Sequence, residues 1–344
     1  MIALDATYSL DPSPSGVAVY SREILYGMAR AHPETKFAFC YRPHRFRASW
    51  GAAMPAPMPP NVRRRLLAPG VGLFHGLNQR LPRWWAGPRI ATFHDLFMMT
   101  GEYSTPEFRA RFTEQAQQAA ERATTIIAVS EFTKSQVVTL LGVPPERVRV
   151  IHHGVRALRP AAQPVREKVI LSAGAIQTRK NVTRLVEAFE AVDRSWRLVL
   201  IGSDGYGADA IHARIAASPA RDRIATLGYV TTEDLAAWYA RAQVFAFPSL
   251  DEGFGMPVLE AMAAGAAVLT SNRSAMPEVA GDAAWLIDPE NIDAMIEGLR
   301  RLTEDAELRA QLNRRAAERV SIFTWEKAVA ATWSVYRDVL GERG

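Results

Sequence analysis

The chain has 344 residues, more than one hydrophobic core comfortably supports, so two domains are expected. With 48% hydrophobic and 22% charged residues it has the composition of a soluble globular protein, which excludes fibrous and disordered classes. The single Cys40 excludes a disulfide framework and a cysteine-based zinc site and fits a reducing compartment, and the formal net charge is +5.

The first half alternates apolar runs with helical patterns: IALDAT, a helix over 20–31, FAFCYR, GLFHGL, RIATFHDL, a helix over 105–122, and TIIAVS. Between them, 42–65 is rich in proline and arginine and reads as a long exposed loop. Residues 1–160 hold 20 Lys and Arg against 11 Asp and Glu, which points to an acidic partner or surface. The arginines are scattered and no nucleic-acid motif accompanies them, so nucleic acid is not expected.

The proline-bearing stretch 156–168 follows VRVIHHG and reads as a linker. The expected division is therefore 1–158, a linker at 159–168, a second domain at 169–322, and a C-terminal helix in 323–344 that packs back on the first domain. After the linker, apolar runs at 169–173, 197–201, 224–227, 244–247 and 266–270 suit buried parallel strands. The helix over 181–192 has Asn181 as its expected N-cap, and Thr231 with Asp234 approximates a capping box. Repeated strand-helix units in both halves predict an α/β fold of two Rossmann-like, doubly wound domains, with ligands at the carboxyl ends of the strands.

Two stretches carry chemistry. In LDEGFGMPVLEAMAAG, Pro257 suits the first helical turn, and Gly253, Phe254 and Gly255 form a loop whose amides face out of the helix mouth. That mouth is either an anion site for a diphosphate or an ordinary helix start whose acids complement the macrodipole. In AGAIQTRKN the chain leaves a strand, passes Gly174 and presents Arg179 and Lys180 before another helix of the same sheet. Two cations there would neutralise a diphosphate.

Together EGFGMPVLE, RKN, VSEFTKSQV, IHHGV and the HDL of the first half resemble the large retaining glycosyltransferase family of GT-B architecture that carries an E-x7-E motif. The resemblance spans the chain. It implies a sugar nucleotide held by the second domain, a glycan or lipid-linked acceptor held by the first, no cofactor, no metal requirement, and retention at the anomeric carbon. On that pattern Glu260 would bind the ribose diol, Glu252 would lie near the transferred sugar, the glycine loop would contact sugar or phosphate, and Arg179 and Lys180 would stabilise the departing diphosphate. His94 would sit in the site as a sugar-hydroxyl or main-chain contact, Asp95 beside it would join the site or only orient the loop, and Gly16 would stand for the family's glycine-rich first turn, single here where a pair is usual. Ser130 and Gly154 would be cleft or hinge positions, with a structural role equally open, and Glu278 would reach the cleft or cap a helix.

The tract TSNRSAMPEVAGDAAWLIDP resembles mannosyltransferases that use GDP-mannose, so mannose and a surface-polysaccharide or glycolipid acceptor are the first expectation. Arg42, Arg45, Phe46, Arg47, Trp50, Arg63, Arg64, Arg65, Trp84 and Trp85 would form a basic, aromatic patch for an anionic membrane surface, or simply a solvated loop. The start MIALDATYSL lacks a signal-peptide pattern and no run nears the roughly 20 apolar residues of a span, which gives a cytoplasmic expectation, peripheral to the membrane. The competing readings are a GT-B sugar-nucleotide epimerase and a non-catalytic nucleotide or glycan binder. A nicotinamide enzyme is disfavoured because GSDGYG has the wrong glycine order.

Overall fold

The computed structural model describes the chain except residues 12–14, 52–55, 67–69, 83–84, 157, 159–163 and 342–344. The chain divides into two compact units: Met1–Thr100 with Pro106–Gly154 and Phe323–Gly344, and Gly101–Thr105 with Val155–Ile322.

The first unit holds the strands β1 (Ile2–Asp5), β2 (Phe37–Cys40), β3 (Val62–Arg65), β4 (Leu73–Gly76), β5 (Arg89–Phe93), β6 (Thr125–Ala128) and β7 (Val148–Val150), all parallel, in the order β3-β2-β1-β4-β5-β6-β7. β1, β2, β4, β5 and β6 are buried along nearly their whole length because both faces are covered. Ile2 and Leu4 of β1 join Phe37 and Phe39 of β2 in one core cluster, while Ala3, Ala38 and Phe74 belong to another. The helix Trp325–Leu340 packs against Gly16–Ala31, where a Cβ on Gly27 would lie 2.6 Å from Val329 Cγ2. Trp333 stacks on His32 at 3.7 Å between centroids, and Tyr336 joins the core cluster shared with β1 and β2.

The second unit holds β8 (Glu167–Ala173), β9 (Arg197–Ile201), β10 (Ile224–Thr226), β11 (Ala242–Phe247), β12 (Ala267–Ser271) and β13 (Ala284–Ile287), also parallel, in the order β10-β9-β8-β11-β12-β13. In both sheets the order reverses beside the first strand, so each has a switch point: β1 and β4 in the first, β8 and β11 in the second. A crevice opens there at the carboxyl ends of the strands.

Four local expectations are corrected. The segment 42–65 is not one loop: it contains the helix Pro43–Phe46, a tight turn over Arg47–Trp50 and the edge strand β3, because Val62–Arg65 finds a parallel partner in β2 that its arginine content does not advertise. The first helix begins at Gly16 rather than at residue 20, and Ser15 caps it by accepting from Ala18 N. Asn181 does not cap the helix Val182–Phe189 with its side chain; its backbone is left-handed (φ 59°) and its amide donates to Pro248 O at 3.2 Å and Pro289 O at 2.7 Å. Thr231 does cap, accepting from Asp234 N at 3.1 Å. β8 starts at Glu167, within the stretch read as linker.

Candidate active site

The loops that follow β8 and β11 meet at the switch point of the second unit. Leu250 N donates to Arg179 O at 2.9 Å, and the Asn181 amide reaches Pro248 O, so the two loops are stitched through their backbones. Arg179 Nη1 donates to Asp251 O and lies 2.8 Å from Glu252 Oε1; Lys180 Nζ lies 2.5 Å from the same oxygen. Glu252 and Arg179 are 8% and 7% exposed, so the ion pairs are largely desolvated. Burial alone would raise the Glu252 pKa, but Arg179 and Lys180 outweigh it and hold the carboxyl at about 2. Gly174, beside the lysine, has a φ of +144°, a backbone conformation that L side chains rarely adopt. Lys180 Nζ also sits over the Phe247 ring, 4.4 Å from its centroid.

Asn181 and Ser274 are the two non-glycine residues with positive φ among the described residues, and both brace this loop. Ser274 Oγ accepts from Glu252 N at 3.1 Å. Backbone strain concentrated around one carboxylate is the pattern of a functional site.

Gly255 caps the helix Met256–Ala263 with φ +99°, and a Cβ there would meet Met276 Cε at 2.3 Å. Phe254 is buried, and Pro257 occupies the first turn. On that helix Glu260 accepts from Tyr239 OH at 3.2 Å, and Arg156 Nη2 lies 3.7 Å from its Oε1. Burial dominates this environment and pushes Glu260 up to about 6. Arg156 Nε is buried without a hydrogen-bond partner among the described residues. Arg156, Tyr239 and Ser274 belong to the site and were missed in the sequence, where a linker arginine and a helix tyrosine carry no signal of their own.

The sequence assigned the two cations to phosphate and Glu252 to the sugar; the structure joins all three in one cluster. Glu252 therefore also holds Arg179 and Lys180 in place.

His94, Asp95 and Gly16 belong to the first unit. His94 follows β5; its Nε2 lies 2.9 Å from Leu77 O, which can only accept, so Nε2 carries the proton and Nδ1 keeps a lone pair. Burial lowers His94 to about 4, so the ring is neutral near pH 7. Tyr20 packs edge-on to it at 4.8 Å between centroids and His153 stacks at 5.4 Å. Asp95 is partly buried, and Gly16 opens the first helix. Ser130 caps the helix Glu131–Leu141 by accepting from Thr133 N at 3.0 Å, and Gly154 lets Trp325 pass, since a Cβ there would stand 2.3 Å from Trp325 N; both roles are structural. The Glu278 carbonyl accepts from Arg319 Nη2. Of the basic, aromatic patch, Phe46 and Trp85 pack against core clusters, Trp50 stays exposed beneath Arg64, and Trp84 lies outside the described residues.

Among the described residues no group of three or more His, Cys, Asp and Glu could hold a metal ion, and no helix is long and apolar enough to cross a membrane.

Two doubly wound units, one with cations and carboxylates at its switch point, define an α/β protein with a charged candidate site at the carboxyl ends of its strands. The chain matches the families described as Glycosyl transferases group 1 over 157–319 and Glycosyltransferase Family 4 over 14–157. It is 30% identical over 282 residues to the O-antigen chain mannosyltransferase B of Escherichia coli, covering 77% of this chain and 74% of that one. It is 29% identical over 268 residues to an MMP alpha-(1->4)-mannosyltransferase of Mycolicibacterium hassiacum, covering 75% of this chain and 61% of that one. Its fold is similar to that of sucrose-phosphate synthase from Thermosynechococcus elongatus, with a TM-score of 0.81, 20% identity and 99% coverage of both chains. The chain belongs to the group 1 glycosyltransferases, has their GT-B fold, and is a glycosyltransferase.

Proposed function

We propose that the protein transfers a hexose, with retention and without a metal ion, from a nucleoside diphosphate sugar to a hydroxyl of a surface-polysaccharide or lipid-linked glycan. Mannose from GDP-mannose is the donor we place first, supported by the mannosyltransferase names of the relatives. The observation that carries the reading is the buried Arg179–Glu252–Lys180 cluster at the β8/β11 switch point.

In this reading the donor diphosphate lies against Lys180 and the Gly253–Gly255 loop, with Arg179 behind it. The two cations stabilise the charge that develops on the leaving diphosphate, a role a metal would otherwise supply. Glu260 accepts from the ribose diol, and Glu252 borders the transferred sugar while fixing the cations. Retention without a protein nucleophile implies departure and attack on one face of the anomeric carbon.

A panel of sugar nucleotides tested with a mannan oligosaccharide in EDTA checks this reading. Transfer from GDP-mannose giving an α-linked product, lost in Lys180→Ala, is expected. Inverted product or a chelator-sensitive rate would refute retention or metal independence, and an epimerised donor with no transfer would refute the reaction.

A further inference from the structure

The first unit carries a cavity of about 730 Å³ at the carboxyl edge of β1, β2 and β3. Its floor is apolar, with Phe74 and Leu81, and Arg42, Arg80 and Arg122 stand around its wall. The single carboxylate in the lining, Asp5, is already committed: Oδ1 accepts from Thr7 N at 3.0 Å and Thr7 Oγ1 at 2.5 Å, and Oδ2 is 3.3 Å from Arg42 Nη2. Arg42 is thereby neutralised. Arg80 and Arg122 have no ion-pair or side-chain hydrogen-bond partner among the described residues, which leaves two uncompensated guanidinium groups facing one cavity. This groove is flanked by a second cavity of about 320 Å³, which shares Gln79, Arg80 and Gln115 with it and is also lined by Tyr8 and Val17 at the start of the first helix.

We infer that this groove binds a phosphoryl group carried by the acceptor, with Arg80 and Arg122 as its ligands and the apolar floor under the portion next to it. Charge complementarity selects the class. Guanidinium pairs match the oxygens of phosphate bidentately and are more weakly hydrated than ammonium groups, so they bind phosphate in a half-apolar setting. A neutral saccharide would leave both charges unused, and Phe74 and Leu81 suit a partner with an apolar neighbour to its anion. The phosphoryl group belongs either to a phosphorylated sugar or to a polyprenyl diphosphate carrier; the shared chemistry is an organic phosphate. The inference rests on the transferase reading and adds the charge of its acceptor.

The test measures binding directly on the full chain without donor, so it does not depend on transfer. Mannose 6-phosphate, farnesyl diphosphate, inorganic phosphate and methyl mannoside are titrated calorimetrically into the wild type, Arg80→Gln and Arg122→Gln. At least one organic phosphate should bind ten-fold or more tightly than methyl mannoside and inorganic phosphate, and each substitution should weaken it about ten-fold. Preference for mannose 6-phosphate identifies a phosphorylated sugar and preference for farnesyl diphosphate a lipid carrier. Binding equal to that of inorganic phosphate, binding insensitive to both substitutions, or no binding overturns the inference. Coincident thermal unfolding of the variants and wild type guards against misfolding. Transfer to a neutral glycan with none of these binding events would leave the transferase reading standing and remove this one.

Discussion

Lys180 Nζ stands 2.5 Å from Glu252 Oε1, the same oxygen that Arg179 approaches at 2.8 Å, so one buried carboxylate keeps two adjacent cations from repelling each other. Its folded pKa of about 2 lies below the ordinary 4.5, so its stabilisation is present above pH 4.5 and is lost as pH falls through 2. Glu252→Gln should therefore cost about 3 kcal/mol at pH 7 and almost nothing at pH 2. Urea unfolding across that range checks it, and a penalty independent of pH would show that the carboxylate's charge is not what matters.

Glu260 behaves oppositely. Burial raises it to about 6, so the stability it contributes is present below pH 4.5 and is lost as pH rises through 6. Glu260→Gln should stabilise the protein by about 2 kcal/mol at pH 8. If the ionised carboxylate receives the ribose hydroxyls, the same variant should bind nucleoside diphosphate at least ten-fold more weakly, and wild-type affinity should fall about ten-fold between pH 7.5 and 5. Calorimetric titration of the nucleotide at both pH values decides it; a flat profile would take the ribose role from Glu260.

Gly154 tests the backbone path rather than the chemistry. A methyl group there meets main-chain atoms of Thr324 and Trp325, at 2.7 Å from Thr324 C and 2.3 Å from Trp325 N, and backbone cannot swing aside as a side-chain tip can. Gly154→Ala should destabilise the first unit by about 2–4 kcal/mol. Gly255→Ala pushes on the mobile end of Met276, so its cost comes mainly from the left-handed φ of +99°. Pairing it with Met276→Ala should recover little stability in denaturant unfolding; full recovery would assign the cost to the clash.

The sheets were legible because parallel strands buried on both faces are short continuous apolar runs between helices, and RLVLI is the same five residues in both readings, 197–201. The edge strand β3 was not, since one neighbour and three arginines leave little apolar signal. Glu252, Glu260, Arg179 and Lys180 were singled out by their places beside glycines and helix starts, and their expected roles came from the family resemblance. What the sequence could not supply was their pairing, because the Lys180–Glu252 contact spans 72 residues and depends on the order in which β8 and β11 lie side by side. Arg156 and Tyr239 were missed for the same reason: their roles arise from proximity to Glu260 alone.

A buried chain of polar groups ties the C-terminal helix to the histidine side of the first unit. Tyr336 OH lies 2.6 Å from His75 Nδ1, His75 Nε2 lies 2.8 Å from Thr92 Oγ1, and Thr92 Oγ1 lies 3.0 Å from Tyr20 OH, whose ring abuts His94. Burial lowers His75 to about 3 and His94 to about 4, so both rings are neutral in the folded protein at pH 7. The sign follows from the depressed values: the unfolded chain takes up protons near pH 6.5 while the folded one does not, so stability is full above pH 6.5 and falls as pH drops toward 4. Tyr336→Phe removes the hydroxyl facing His75 Nδ1 and should cost about 1–3 kcal/mol at pH 7. His75→Phe should in addition flatten the fall in stability between pH 6.5 and 4. Unfolding measured at several pH values separates the two effects, and a Tyr336→Phe protein as stable as the wild type would show that the C-terminal helix is held by its apolar face alone.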